Sequence, residues 1–286
     1  MGKIVIVGSG PAGCSAALYA ARAGQEVVVI SMGMGALSKA ELIQNYYGFE
    51  EGITGAELYR QGVAGAKAVG AEFITAEVVG LDYTGSLVVQ TTEGDYPADA
   101  VILATGAGRI APKIAGLAEH EGRGVSYCAT CDAFFYRGKT AAVLGSGEYA
   151  LHEVQALLPL AGKVILCTNG EPLTADFPEG VEICTEKLAA VEGEEKVSAL
   201  RLENGELLPV EGLFVALGVA GSAALARKLG APVENGRIVV DERMQTEIPG
   251  LYAAGDCTGG LLQVCKAVYE GALAATEAIK QIRGKK

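Results

Sequence analysis

Short, wholly apolar runs that stop at glycine recur along this chain and set its organisation. Ile4–Val7 carries no polar residue and runs directly into Gly8, Ser9, Gly10, Pro11, Ala12 and Gly13. A parallel strand buried on both faces reads this way. An alanine-rich helix then leads through Gly24 to a second apolar strand, Val27–Ile30. The pattern returns in "GKTAAVLGSGEYALHEVQALLPLAGKVILCT", where Gly145, Gly147 and Ala150 repeat the spacing. "YPADAVILATGA" is a further strand, closing on Ala104, Thr105 and Gly106. "EGLFVALG" (211–218) and "IPGLYAAGDCTGG" (248–260) are two more, the latter ending on Gly255 and Asp256, and an alanine-rich helix follows over roughly 263–282.

These elements predict an α/β protein of two Rossmann-like three-layer nucleotide-binding domains, one inserted in the other. The outer domain is expected over 1–107 and 219–286 and the insert over 108–218, with hinges near Gly106–Gly108 and Gly218–Gly221. The glycines have separate duties in such a unit. Gly8 permits the tight turn, Gly10 lets the backbone approach a pyrophosphate, and Gly13 lets the helix pack on the strand, while the helix start offers free N–H groups to the phosphates. An acid normally closes the second strand to hold the ribose, but here Ser31 stands there, so that contact is unassigned.

Composition narrows the classes. A chain of 286 residues, half of them apolar, with 40 glycines and no tryptophan, is long enough for one large or two ordinary domains. A net charge of -11 leaves no basic surplus for nucleic acid. The sequence offers no signal peptide and no apolar stretch long enough to cross a bilayer, which with an odd seven cysteines points to a cytosolic protein with mostly reduced thiols. Cys14, Cys167 and Cys184 read as small core residues.

"SYCATCDAFF" (126–135) is the chemical centre, with Cys128 and Cys131 two residues apart and Asp132 next. Zinc would need further ligands, and the chain holds two histidines, His120 and His152, and no second CxxC pair. A structural disulfide would close a very small loop. A redox dithiol fits the spacing better: one thiolate attacks a partner disulfide and the second resolves the mixed species. Asp132 stands where a proton donor is useful, or alternatively caps a helix.

GSGPAG at 8–13, ATG at 104–106, CATCD followed by FFYRGK, GxGxxA at 145–150 and AAGD at 253–256 occur in an order that resembles the low-molecular-weight thioredoxin reductases. "GALSKAELIQNYYGFEEGITGAEL" is similar to that family's flavin-side segment. The resemblance covers essentially the whole chain. It implies FAD in the outer domain, a redox dithiol on the insert, a homodimer, and thioredoxin or a thioredoxin-like protein as partner. It gives Cys131 to the flavin side, Cys128 to the attack on thioredoxin and Asp132 to the acid role. Flavin contacts carry over to Gly8 through Gly13, Ala36, Leu37, Asn45, Val78, Ala104, Thr105, Gly106, Gly255, Asp256, Gln263 and Val264, with Ser31 at the strand end. The family's Arg-Gln pair is Leu262-Gln263 here. Cys257 and Cys265 flank this region and read as core or loop residues.

The donor side departs from the family. No Lys or Arg occurs from 164 to 186, where NADPH-using members carry a basic cluster, and Glu171, Asp176 and Glu179 would repel a phosphate. NADH asks for an acid at the strand end, but Cys167-Thr168-Asn169 lies there. Tyr149 is expected to crowd the pyrophosphate. The expectation is a vestigial nucleotide site and a thioredoxin reductase fed by reduced ferredoxin, with Arg109, Lys113, Arg123, Arg137 and Lys139 as its basic patch. The alternatives are an NADH-linked reductase and an FAD-holding redox sensor without turnover.

Overall fold

The structure is a computed structural model that describes residues 2–106, 113–218 and 220–284. Positions 107–108 and 219 of the expected hinges, and Arg109 of the basic patch, lie outside them. Two compact units emerge, Met1–Arg109 with Gly221–Lys286, and Ile110–Ala220.

In chain order the first unit begins with β1 (Lys3–Val7), α1 (Pro11–Arg22), β2 (Glu26–Ser31), α2 (Gly55–Ala68) and β3 (Glu72–Thr75). β4 (Val78–Tyr83), β5 (Leu87–Thr91) and β6 (Gly94–Ala98) form an antiparallel three-stranded sheet, and β7 (Ala100–Leu103) follows. The second unit holds β8 (Val125–Ser126), α3 (Ala129–Asp132), β9 (Thr140–Leu144), α4 (Glu148–Leu157), β10 (Lys163–Cys167) and β11 (Glu182–Cys184). Its own antiparallel sheet is β12 (Leu188–Glu192), β13 (Ala199–Leu202) and β14 (Leu207–Pro209), before β15 (Gly212–Val215). The chain returns to the first unit with α5 (Ser222–Lys228), the hairpin β16 (Val233–Glu234) and β17 (Arg237–Ile238), β18 (Leu251–Ala253) and α6 (Val264–Gly284).

Each unit is built on a parallel sheet, ordered β18-β7-β1-β2-β3 in the first and β11-β10-β9-β15-β8 in the second. Parallel strands buried on both faces explain the absence of alternation: Ile4, Val5 and Ile6 are all fully buried. Register aligns Val7 with Ile30 and Leu103, and Leu103 with Ala253. The turns after β1, β2, β7 and β18 therefore open at one carboxyl edge, where such sheets bind ligands.

Alanine has a packing reason. α1 presents Ala12, Ala16 and Ala20 to the core, and α6 presents Ala267, Ala274, Ala275 and Ala278. A Cβ on Gly271 would lie 2.1 Å from the Ala12 carbonyl oxygen, so the two helix backbones approach more closely than any side chain there would permit.

Candidate functional site

The first unit's glycine turn is a cradle with its ligand side open. A Cβ on Gly8 (φ +110°) would strike the Ala104 carbonyl at 2.3 Å, and one on Gly13 would strike the Gly8 carbonyl at 1.8 Å. Gly10 meets nothing within 4 Å. It caps α1 without a side-chain hydrogen bond, Pro11 opens the helix, and the first turn contains no acid. An uncovered positive helix end, approachable at Gly10, fits the diphosphate of a dinucleotide.

Around it the strand ends supply a hydroxyl network. The Ser31 Oγ donates to Ser9 Oγ at 2.7 Å, and Ser9 Oγ lies 3.1 Å from the Tyr59 hydroxyl. Ser31 is thus turned to the glycine turn after β1. Thr105 exchanges bonds with Ser222 at the start of α5: Ser222 N donates to Thr105 Oγ1 at 2.8 Å and the two hydroxyls lie 2.7 Å apart. Asn45 Nδ2 donates to Gln263 Oε1 at 2.8 Å, joining the flavin-side segment to the start of α6. A cavity of about 250 Å³ runs from Gly10 and Pro11 past Leu37, Tyr46 and Tyr59 to Val264. Ala36 is exposed, and Val78 is buried in β4 and is not among the residues lining that cavity.

The Gly255–Asp256 turn is held from beneath. Gly255 N donates to Glu270 Oε2 at 2.8 Å, and Lys266 Nζ donates to the carbonyls of Gly255 (2.7 Å) and Gly259 (2.5 Å) and sits 2.9 Å from Glu270. A Cβ on Gly255 would lie 3.0 Å from Ala12 Cβ, so this turn abuts the first turn of α1. The sequence reading missed Lys266, Glu270 and Ser222. The i,i+4 Lys-Glu spacing in the otherwise apolar first half of α6 was the available signal.

In the second unit Cys128 and Cys131 are joined as a disulfide, with Cα atoms 5.3 Å apart. Cys128 is the N-cap of α3, and its sulfur accepts the Cys131 N–H at 3.1 Å. Cys128 is buried and Cys131 exposed. Asp132 closes that helical turn rather than capping it. Its carboxylate accepts the Ser126 hydroxyl at 2.6 Å, and Ser126 Oγ accepts the Cys128 N–H at 3.1 Å. Burial, and then the Asp132 charge, push the neighbouring Tyr136 hydroxyl above its usual range. Glu153, 1% exposed on α4, went unread in the sequence; its Oε2 accepts the Ala129 N–H at 2.5 Å. A carboxylate within the apolar run of α4 was the sign of it. Phe134 and Phe135 project at 65% and 66% exposure, with the Arg137 guanidinium 5.3 Å over Phe134.

The second glycine turn is built like the first but covered. A Cβ on Gly145 would lie 2.2 Å from the Ala216 carbonyl oxygen. Thr174 N donates to the Ser146 carbonyl at 2.8 Å, and a Cβ on Gly147 would meet Thr174 Oγ1 at 3.0 Å. Glu148 places an acid in the first turn of α4. Against the expectation for Tyr149, its ring is buried and its hydroxyl donates to the Tyr127 carbonyl at 3.0 Å, so the cover comes from Thr174. Cys14, Cys167 and Cys257 are buried, Cys184 is half-buried and Cys265 exposed.

Residues 2–271 match the pyridine nucleotide-disulphide oxidoreductase family. The thioredoxin reductase of Aquifex aeolicus is 36% identical, across 99% of this chain and 94% of that protein. Among solved structures, the atypical thioredoxin reductase TRi from Desulfovibrio vulgaris Hildenborough is 40% identical with a TM-score of 0.93 over 99% of both chains. A ferredoxin-flavin thioredoxin reductase from Clostridium acetobutylicum is 35% identical with a TM-score of 0.75, over 99% of this chain and 98% of that one.

Proposed function

The chain belongs to the pyridine nucleotide-disulphide oxidoreductase family and, within it, to the thioredoxin reductases, and on that premise we propose that it reduces thioredoxin or a thioredoxin-like protein through FAD and the Cys128/Cys131 dithiol, with reduced ferredoxin as donor. Bound FAD would collect single electrons and deliver them to the disulfide as a pair. Gly8 through Gly13 would hold its pyrophosphate, Thr105 and Asp256 its sugar-alcohol chain, and Asn45, Gln263 and Val264 its ring side. Cys128 would be the attacking thiolate, its sulfur stabilised by the amide it accepts at a helix start, once that buried sulfur is exposed to the partner. Asp132, hydrogen-bonded through Ser126 to the Cys128 backbone, is the proton donor for the leaving sulfur. In Cys131→Ser a mixed disulfide between Cys128 and thioredoxin should accumulate, and in Cys128→Ser it should not.

The donor reading is carried by the covered second glycine turn. Thr174 lies over Gly147, and segment 164–186 has no cation. An acidic protein donor would meet Lys113, Arg123, Arg137 and Lys139 instead. Lys187, whose stem packs 3.2 Å from the Cβ position of Gly170, favours a second reading in which NADH or NADPH is used after all. Anaerobic titration of the yellow protein with reduced ferredoxin, NADPH and NADH, following the oxidised flavin band, decides between them. Bleaching by ferredoxin alone is expected; rapid bleaching by a pyridine nucleotide overturns the donor reading. Bleaching without turnover of thioredoxin disulfide would make the protein a redox sensor.

We place the proposed homodimer on the face of α1, α2 and α6, where Tyr19 and Tyr269 are exposed and Tyr19 lines the apolar cavity. Its home is proposed to be the cytoplasm. Among the described residues no helix is long and apolar enough to cross a membrane.

A further inference from the structure

We propose that Cys167 and Cys184 form a second dithiol–disulfide centre, closed by hydroperoxides, at the carboxyl edge of the second unit's sheet. The two residues are register partners on the parallel strands β10 and β11. Register partners on adjacent strands point to one face, about 4.8 Å apart, which is inside the Cα separation that disulfides span. Burial, followed by the neighbouring Cys184, pushes the Cys167 thiol up. β11 is a three-residue edge strand, free to make the small approach that a covalent bond needs.

The pair is not placed at random. Leu144 pairs with Cys167, and Gly145 N donates to the Cys167 carbonyl at 3.0 Å, so the row of residues ends at the second glycine turn. Residues 168–183, between the two cysteines, carry Thr174, which covers that turn. A Cys167–Cys184 bond would staple the base of the covering segment. This holds whichever donor feeds the flavin.

Half-buried Cys184 is the attacking thiol and buried Cys167 the resolving one. The Cys184 sulfur attacks a peroxide oxygen; the O–O bond breaks, leaving a sulfenic acid, and the thiol proton departs with the released hydroxide as water. The Cys167 sulfur then attacks the sulfenic sulfur. The S–O bond breaks, a second water leaves with the Cys167 proton, and the disulfide forms. Two thiols lose an electron pair and the hydrogen peroxide takes it.

The flavin-loaded protein is fully reduced, freed of reductant and exposed to a small excess of hydrogen peroxide. It is then denatured in N-ethylmaleimide, digested and mapped by mass spectrometry. A peptide joined through Cys167 and Cys184 is expected beside the Cys128–Cys131 disulfide, together with slower proteolysis within 168–183. In Cys184→Ser, Cys167 should be recovered as its maleimide adduct. Recovery of wild-type Cys167 and Cys184 as separate adducts, while Cys128–Cys131 has closed, overturns the proposal. A cross-link from either cysteine to any other thiol does the same.

Discussion

The two glycine turns of this chain share a design and differ in what faces them. After β1, Gly10 looks onto open space and α1 begins with no acid in its first turn. After β9, the same spacing meets Thr174 at Gly147 and an acid at Glu148. Both turns retain the glycine that lets the strand meet the rest of the sheet: a Cβ on Gly8 would lie 2.3 Å from the Ala104 carbonyl oxygen and one on Gly145 would lie 2.2 Å from that of Ala216. The difference teaches that the glycines which keep the fold and the glycine which admits a ligand are separable. A fold can keep the first kind after its ligand surface has closed.

Valine at Gly10 and at Gly147 tests that separation most severely. Gly10 has room and an extended backbone, so Gly10→Val should fold with wild-type circular dichroism. It should lose flavin by on the order of 100-fold in affinity, about 2.7 kcal/mol, read as the flavin-to-protein ratio after gel filtration. Gly147→Val should retain flavin and turn over with reduced ferredoxin within about twofold of wild type, a change under about 0.5 kcal/mol. If Gly147→Val instead abolishes ferredoxin-driven turnover while still folding, the second turn is in use and the comparison fails.

The supports beneath each site give effects of similar size or smaller. Lys266→Met strands Glu270 under the Gly255 turn, where both side chains are largely buried. It should cost about 3 kcal/mol, seen as a lower urea midpoint and weaker flavin retention. In the second unit Glu153→Leu leaves the Ala129 amide without its carboxylate acceptor and should cost about 1–3 kcal/mol. Glu153→Gln keeps an acceptor and should cost less than Glu153→Leu. Equal losses for the two variants would mean that packing rather than the hydrogen bond sets the value of Glu153.

What the sequence disclosed follows the same division. β1, α1 and β2 were legible because buried parallel strands write themselves as unbroken apolar runs and their turns as glycines with fixed local duties. The antiparallel sheets β4–β6 and β12–β14 were not, because "LVVQT" and "LAAVE" are short, only partly alternating, and become strands through their partners. The dithiol was visible in its spacing, but its support by Glu153, 24 residues from Ala129, has no local signature. The cover on Gly147 joins Thr174 to Ser146 across 28 residues and depends on how the intervening strand and loop return. Absence of cations over 164–186 could be read directly; the group lying over the turn could not.

The smallest effect distinguishes thiols that serve the core from thiols that serve chemistry. Burial pushes Cys14, in the helix of the open turn, up to about 12, and Cys257 up to about 11. Both stay protonated in the folded state at a pH where unfolded thiols ionise. The unfolded chain therefore binds fewer protons from about pH 9 to about pH 11 or 12, and stability falls with rising pH across that window. Their contribution is complete below pH 9, and at about pH 9.5 each thiol should have lost about 0.8 kcal/mol. The check is denaturant unfolding of wild type and Cys14→Ala/Cys257→Ala under reductant at neutral pH and at about pH 9.5. The wild type should lose about 1.6 kcal/mol more than the double variant between the two conditions. An identical loss in both proteins would mean that these thiols ionise freely in the fold, and Cys14 would then have to be reconsidered as a reactive neighbour of the open glycine turn.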